Sequence, residues 1–219
     1  MEDGSTSVLT ERHAVFGDGL HVVFRPIRPE DKDLLRCGFE RLSPQSRYRR
    51  FFRAIDHLSD KQLAYLTEVD FKDHYAWVAL DPSDEECPGI GVARWIRAHD
   101  DPTAAEAAVT VVDAYQHIGI GTALMFLAGR SAIENGIRAI RVNALGDNKA
   151  VSEMLKDLGV VAGRWEAGVM EAEIPLPETV EELDQSPGAS VFRAMARGDL
   201  ESHLDARGPG LRAHLSKRS

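Results

Sequence analysis

The stretch best equipped for chemistry is Glu106 to Thr122, EAAVTVVDAYQHIGIGT. A β-branched run passes through a short connection into Gly119, Ile120, Gly121 and Thr122, where an apolar pattern of helical spacing begins. Such a turn gathers main-chain N–H groups. The first donors of a helix have no intrahelical acceptor, the helix dipole is positive at that end, and glycines without a Cβ let an anion approach the backbone. The chemistry implied is a phosphate cradle. It is not the nucleotide P-loop, because no Gly-Lys-Ser/Thr follows, and the three-glycine dinucleotide pattern is also absent. Glycines at a strand-to-helix turn also serve packing alone, and spacing leaves both readings open. Arg47, Arg49, Arg50 and Arg53 cluster beside Tyr48, Phe51 and Phe52. They read either as a patch that steers an acidic protein surface or as a solvated helix face with arginine stems over aromatic rings. The eight histidines show no ligand spacing, and no metal is expected.

The elements that must hold this stretch can be read around it. Leu20 to Ile27 has strand character, and residues 30–42 carry Leu34, Leu35, Phe39 and Leu42 at helical spacing. Helices are expected from Pro44 to Phe52 and from Ser59 to Leu66, each with a capping signal at its start. Tyr75–Leu80, Ile90–Ile96 and Glu106–Val112 read as strands joined by turn-rich links, an antiparallel meander. A helix then runs from Gly119 to about Asn135, with Leu124, Leu127, Ala128 and Ser131 along one stripe and Gly136 at its end. A fifth strand at Ile137–Val142, a helix at Asp147–Leu158 and strands at Val160–Trp165 and Val169–Ile174 complete the set. The fold class expected is α/β (α+β), a mixed central sheet of about seven strands flanked by helices. Residues 1–19 read as a polar extension, 20–177 as the domain, and 178–219 as a tail or docking arm, with a helix-prone stretch at 189–204 able to dock on the core or on a second subunit.

Composition narrows the partners. The chain has 219 residues, 43% hydrophobic and 28% charged, enough for one compact core. Its net charge of −9 removes phosphate-backbone attraction as a main source of binding, so neither nucleic acid nor an anionic membrane is expected as a partner. No apolar run approaches the roughly 18 residues needed to span a bilayer. Cys37 and Cys87 stand fifty positions apart, and with no signal-peptide pattern at the N-terminus they read as reduced thiols of a cytoplasmic protein.

Gln116-His117-Ile118-Gly119-Ile120-Gly121 resembles the Gln/Arg-x-x-Gly-x-Gly/Ala signature of the GNAT N-acyltransferases, in which this turn holds the pyrophosphate of acyl-CoA. Asn148 with Leu158-Gly159-Val160 is similar to the family's second motif, and the likeness covers residues 20–177. The pieces Arg25–Asp31, Leu42–Phe52 and Ala105–Gln116 resemble the bacterial protein lysine acetyltransferase (Pat-like) branch. The resemblance implies that Val109, Thr110 and Val111 line the pantetheine of acetyl-CoA, or of another short acyl-CoA, and offer main-chain donors to the thioester carbonyl. It also implies that His117, Ile118, Gly119, Ile120, Gly121 and Thr122 wrap the pyrophosphate behind Gln116, and that Asn148 positions the far arm. Where the family commonly has Gly-Arg or Gly-Lys, this chain has His117-Ile118, so the cradle rests on backbone amides.

The implied acceptor is a protein lysine or a small amine. A lysine near pKa 10.4 is over ~99.9% protonated at pH 7, which corresponds to roughly 4–5 kcal/mol of deprotonation cost, so a base is wanted. Glu106, ten positions before Gln116, matches the branch's base, and Ala104, Ala105, Ala107 and Ala108 around it suggest apolar surroundings. The alternative is a solvent-facing strand glutamate. The tyrosine that many family members use as acid is replaced by Leu155, while Tyr115 reads as packing beneath the turn. The rivals to a protein acetyltransferase are a small-amine acetyltransferase and a non-catalytic acyl-CoA sensor. A homodimer is compatible with the sequence.

Overall fold

The computed structural model describes residues 11–17, 19–145, 148, 164–166 and 168–185. Its centre is an eight-stranded sheet: β1 (Arg12–Phe16), β2 (Leu20–Pro26), β3 (His74–Leu80), β4 (Gly89–Arg97), β5 (Ala104–Val111), β6 (Ala139–Leu145), β7 (Arg164–Glu166) and β8 (Val169–Pro175). The spatial order is β1-β2-β3-β4-β5-β6-β8-β7. Pairing is antiparallel from β1 to β5, parallel between β5 and β6, and antiparallel again beyond. The mixed sheet and the meander are as expected.

Helices cover both faces. On one lie α1 (Lys32–Glu40), α2 (Pro44–Phe51) and α3 (Asp60–Thr67); on the other lies α4 (Ile120–Glu134). Ser43 caps α2 by accepting from the Ser46 N–H, and Ser59 with Gln62 forms a capping box on α3. Helix α4 is buried almost all round, with Leu124 and Leu127 at the bottom of the core. Burying each such leucine contributes about 2 kcal/mol. Ser131 on its inner stripe accepts from both Trp77 Nε1 (3.3 Å) and Trp95 Nε1 (3.0 Å). Exchanging it for valine would leave two buried indole donors unpaired, at about 1–3 kcal/mol each.

Two expectations need correction. Residues 12–16 are not part of a polar extension: β1 forms a hairpin with β2 and buries Ala14 and Phe16, which alternation selects from an otherwise charged segment. The thiols of Cys37 and Cys87 are not free but joined in a disulfide, because α1 packs on β4 and brings their Cα atoms to 5.9 Å. Of the two readings of 178–219, tail or docking arm, its described start fits the second, with α5 (Val180–Asp184) burying Leu183 against Phe126 and Ile133 while Arg130 pairs with Asp184 at 3.0 Å. The helix expected at Asp147–Leu158, the first part of the strand at Val160–Trp165, and the stretch 189–204 lie outside the described residues.

Candidate functional site

The site begins where the sheet splits. Parallel pairing of β5 with β6 covers only Ala104↔Ala139 through Ala107↔Val142. Beyond it β6 stays paired with β8 as far as Leu145↔Val169, and β5 stays paired with β4 as far as Val111↔Gly91. The edge of β5 from Ala108 to Val111 that looks toward β6 is therefore left without ladder partners among the described strands, yet it is held rigid from behind. A free edge of this kind offers alternating N–H and C=O groups to an extended ligand.

The split leads into the glycine turn. A 3₁₀ turn at Asp113–Tyr115 is followed by His117 (φ 64°) and Gly119 (φ 96°), both left-handed, and α4 starts at Ile120. The first intrahelical bond shown at this end runs from Ala123 N–H to Gly119 O, and no side chain caps the helix. Gly119 is required by its φ. Gly121 is not required by packing, since a Cβ there would meet Val111 Cγ2 at 3.6 Å and Val109 Cγ2 at 4.0 Å, ordinary contacts. The cradle reading therefore fits position 121 better than the packing reading. Val109 and Val111 lie on the α4 face beside Gly121, whereas Thr110 faces the other helices.

Hydrogen bonds fix the turn from below. Asp113 accepts from Ser43 N–H (3.0 Å), Ser43 Oγ (2.8 Å) and Ser46 Oγ (2.8 Å), clipping the start of α2 to the end of β5. Desolvation alone would raise the Asp113 carboxyl, but these donors outweigh it and hold it below the usual carboxylate range. Gln116 Nε2 donates to Val111 O at 2.9 Å, so its side chain braces the end of β5. Tyr115 is buried under the turn with its hydroxyl 3.0 Å from Asp81 Oδ2, the packing role expected. Arg25 clamps Asp31 bidentately at 2.7 Å on both arms, which ties β2 to the helical face.

Glu106 lies on the same face of β5 as Ala108 and Thr110. The β4–β5 register is unbroken from Gly91↔Val111 to Arg97↔Ala105, so no bulge turns it away. It is exposed, with Ile96 and Arg141 as its register partners, while Ala105 and Ala107 point to the opposite side. The apolar surroundings expected from the neighbouring alanines are thus not what it meets. Further along this face, between α1–α3 and strands β4 and β5, lies a cavity of about 60 Å³ lined mainly by leucine, valine and phenylalanine side chains together with Thr110, Arg50 and Arg94. Local sequence reading missed Arg94. Its signal was a charge inside the apolar run IGVARWI. Of the arginine cluster, Arg47 is structural: it donates to the carbonyls of Leu42, Asp56 and Glu40 and lies over the Phe39 ring. Asn148 is placed just past the end of β6, its N–H donating to Leu145 O at 2.9 Å. Leu155 lies outside the described residues.

The glycine turn of the sequence resemblance opens helix α4 beside the split between β5 and β6, and residues 34–160 match the Acetyltransferase (GNAT) family. The chain belongs to this family. It is 35% identical over 181 residues to the acetyltransferase Pat of Mycolicibacterium smegmatis, spanning 79% of this chain and 54% of that one. It is 34% identical over 147 residues to the acetyltransferase PA5475 of Pseudomonas aeruginosa, spanning 67% and 78%. The crystal structure of the GNAT domain of S. lividans PAT superposes with a TM-score of 0.69 at 30% identity, covering 76% of this chain and 97% of that domain. This GNAT chain thus spans about half the length of the M. smegmatis relative and most of the other two. No described helix is long and apolar enough to cross a membrane.

Proposed function

We propose that this protein is an N-acyltransferase that moves an acetyl or other short acyl group from its CoA thioester to an amine, with a protein lysine as the acceptor. The observation that carries the reading is the free edge of β5 from Ala108 to Val111 running straight into the uncapped N-terminus of α4. The residues present fit acyl-CoA. Amides from Ile118 to Thr122 suit a diphosphate, and the open β5 edge suits the amide-bearing pantetheine arm. When bound, the thioester supplies an activated acyl carbon.

The protein's own groups do the rest. Main-chain N–H groups around Val109 and Val111 stabilise negative charge growing on the carbonyl oxygen. Thr110 and Glu106 share the face on which the acceptor arrives. Glu106, exposed at the rim, takes a proton from the incoming ammonium through a water, so that a neutral nitrogen attacks. The C–S bond breaks as the C–N bond forms, and the departing thiolate takes its proton from solvent.

A protein acceptor is supported by three exposed aromatic rings on and beside the helices that wall this face: Tyr48 and Phe52 at α2 and Tyr65 on α3, 43–58% exposed. They offer a surface for a folded partner rather than the enclosure of a metabolite. The test is Glu106→Gln in the full chain. Turnover with acetyl-CoA and candidate lysine-bearing proteins should fall by about 10²–10⁴-fold while the CoA dissociation constant stays the same. Unchanged turnover would remove Glu106 as base, and absence of any CoA binding would remove the function.

A further inference from the structure

Two cations set into the wall of an apolar cavity call for an anion. Arg94, on β4, is 4% exposed, and Arg50, on α2, shares the same wall with Leu34, Phe39, Phe51 and Thr110. Among the described residues, no aspartate or glutamate lines the cavity. The partners of Arg94 are uncharged: Nη1 donates to His74 Nε2 at 2.8 Å, and Nη2 donates to Leu66 O at 3.2 Å. His74 is neutral at physiological pH, since burial first and the Arg94 charge second lower it to about 4. Arg50 rests over the Phe51 ring at 5.1 Å. Thr110 Oγ1 is buried in the same wall with no hydrogen-bond partner. Burial, then repulsion from Arg50, lowers Arg94 to about 9, and burial lowers Arg50 as well. Desolvated charges and an orphan hydroxyl are costly to keep unless something binds them.

We propose that this cavity is an acyl-group subsite for a carboxylate on a short carbon arm, so that the preferred donor is a dicarboxylic acyl-CoA of the succinyl or glutaryl kind. The inference rests on the acyltransferase reading above and names the substrate class of that site. Arg50 and Arg94 hold the carboxylate, and the leucine and phenylalanine side chains cover the methylenes. The donor is favoured over the acceptor as the source of the carboxylate because the cavity reaches Thr110 and Gly91, on the half of β5 and β4 where the free edge places the thioester. The transfer is otherwise the same: the amine nitrogen gains the acyl carbon, the C–S bond breaks, and CoA leaves as its thiol after protonation.

The experiment compares succinyl-CoA with butyryl-CoA, its uncharged four-carbon counterpart, and with CoA itself, by calorimetric titration of the full chain. Succinyl-CoA should bind about tenfold or more tightly than butyryl-CoA. Arg50→Gln and, separately, Arg94→Gln should each shrink that gap while CoA itself binds as before. Arg50 is on α2 rather than on the central sheet, so its variant keeps the test informative if Arg94→Gln does not fold. Equal binding of the two thioesters, or a gap that survives Arg50→Gln, overturns the proposal while leaving the acyltransferase reading intact. An arginine-dependent gain for β-alanine over ethylamine in the presence of acetyl-CoA, without a succinyl-CoA preference, overturns the donor assignment in favour of the acceptor. Failure of every thioester and of CoA to bind removes the underlying reading instead.

Discussion

Replacing Gly121 by aspartate should move the stability of the empty protein and its CoA affinity in opposite directions. The new Cβ has room, with Val111 Cγ2 at 3.6 Å and Val109 Cγ2 at 4.0 Å. The first turn of α4 holds no acidic residue and has no side-chain cap, so a carboxylate there meets unpaired N–H groups and the positive end of the dipole. That interaction stabilises the empty protein by about 0.3–1 kcal/mol. A bound diphosphate would meet the same carboxylate as a like charge. At about 5 Å and an effective dielectric near ~20 the repulsion is about 3 kcal/mol per charge pair, or about two decades in dissociation constant. Urea unfolding of the ligand-free protein and calorimetric titration with CoA read the two effects separately. A CoA affinity within about threefold of wild type would refute the cradle, since two decades are expected. A stability loss above about 1 kcal/mol would make Gly121 a packing residue after all. Gly119→Ala is the contrasting case, because φ of 96° costs an L-residue about 1–2 kcal/mol before any ligand is added.

Other consequences follow from the same geometry. Asp113→Asn weakens the clip between β5 and α2 and should raise the KM for acyl-CoA and lower stability by about 1 kcal/mol, read by kinetics and denaturation. The folded-state value of Asp113 is depressed, so its contribution is present above the ordinary carboxylate range and is lost as pH falls through the lowered value. His74 behaves likewise for a different reason. The unfolded chain binds its proton near ~6.5 and the folded one only near about 4, so stability should decline between those pH values, and His74→Gln should flatten that slope in urea titrations. Reduction of the Cys37–Cys87 bridge, which closes a 50-residue separation, should cost about 4 kcal/mol at most on chain-entropy grounds, seen as a lower melting temperature with dithiothreitol.

What could be read from the chain is what short-range physics encodes. The strand that leads to the glycine turn, the proline start of α2, the serine cap of α3 and the inner stripe of α4 each depend on a few neighbouring residues, and each is where it was expected, whereas the Ser43 cap of α2 was not foreseen. Strand β1 escaped because five residues of alternation, RHAVF, stand amid polar sequence, and the hairpin to β2 is what gives Ala14 and Phe16 something to bury against. The disulfide and the Asp113 clip join residues 50 and about 70 apart, and no local pattern announces such a meeting. The surroundings of Glu106 were misjudged for a related reason. Alanines adjacent in a strand point to the opposite face, so they say little about what the side chain between them touches.

On the proposed reading the two faces of β5 divide the work, so its glycine turn and its carboxylate need not be near each other. Val109 and Val111 turn toward α4 and the glycine turn, while Glu106, Ala108 and Thr110 share the opposite face, where Thr110 lines the cavity under α1–α3 and Glu106 is exposed. Under the proposed function, a ligand along the free edge between them would have its diphosphate set by one face and its reactive end presented to the other. Because β4 pairs with β5 without interruption through Val111, neither face can shift independently of the other. The proposed donor recognition at the turn and donor discrimination at Arg50 and Arg94 are then separable by mutation. Gly121→Asp should weaken every CoA thioester by a similar factor, whereas Arg50→Gln should weaken only those that carry a terminal carboxylate. Measuring both variants against acetyl-, butyryl- and succinyl-CoA in one series distinguishes the two roles. If Arg50→Gln weakened all three donors equally, the separation of faces argued here would be wrong.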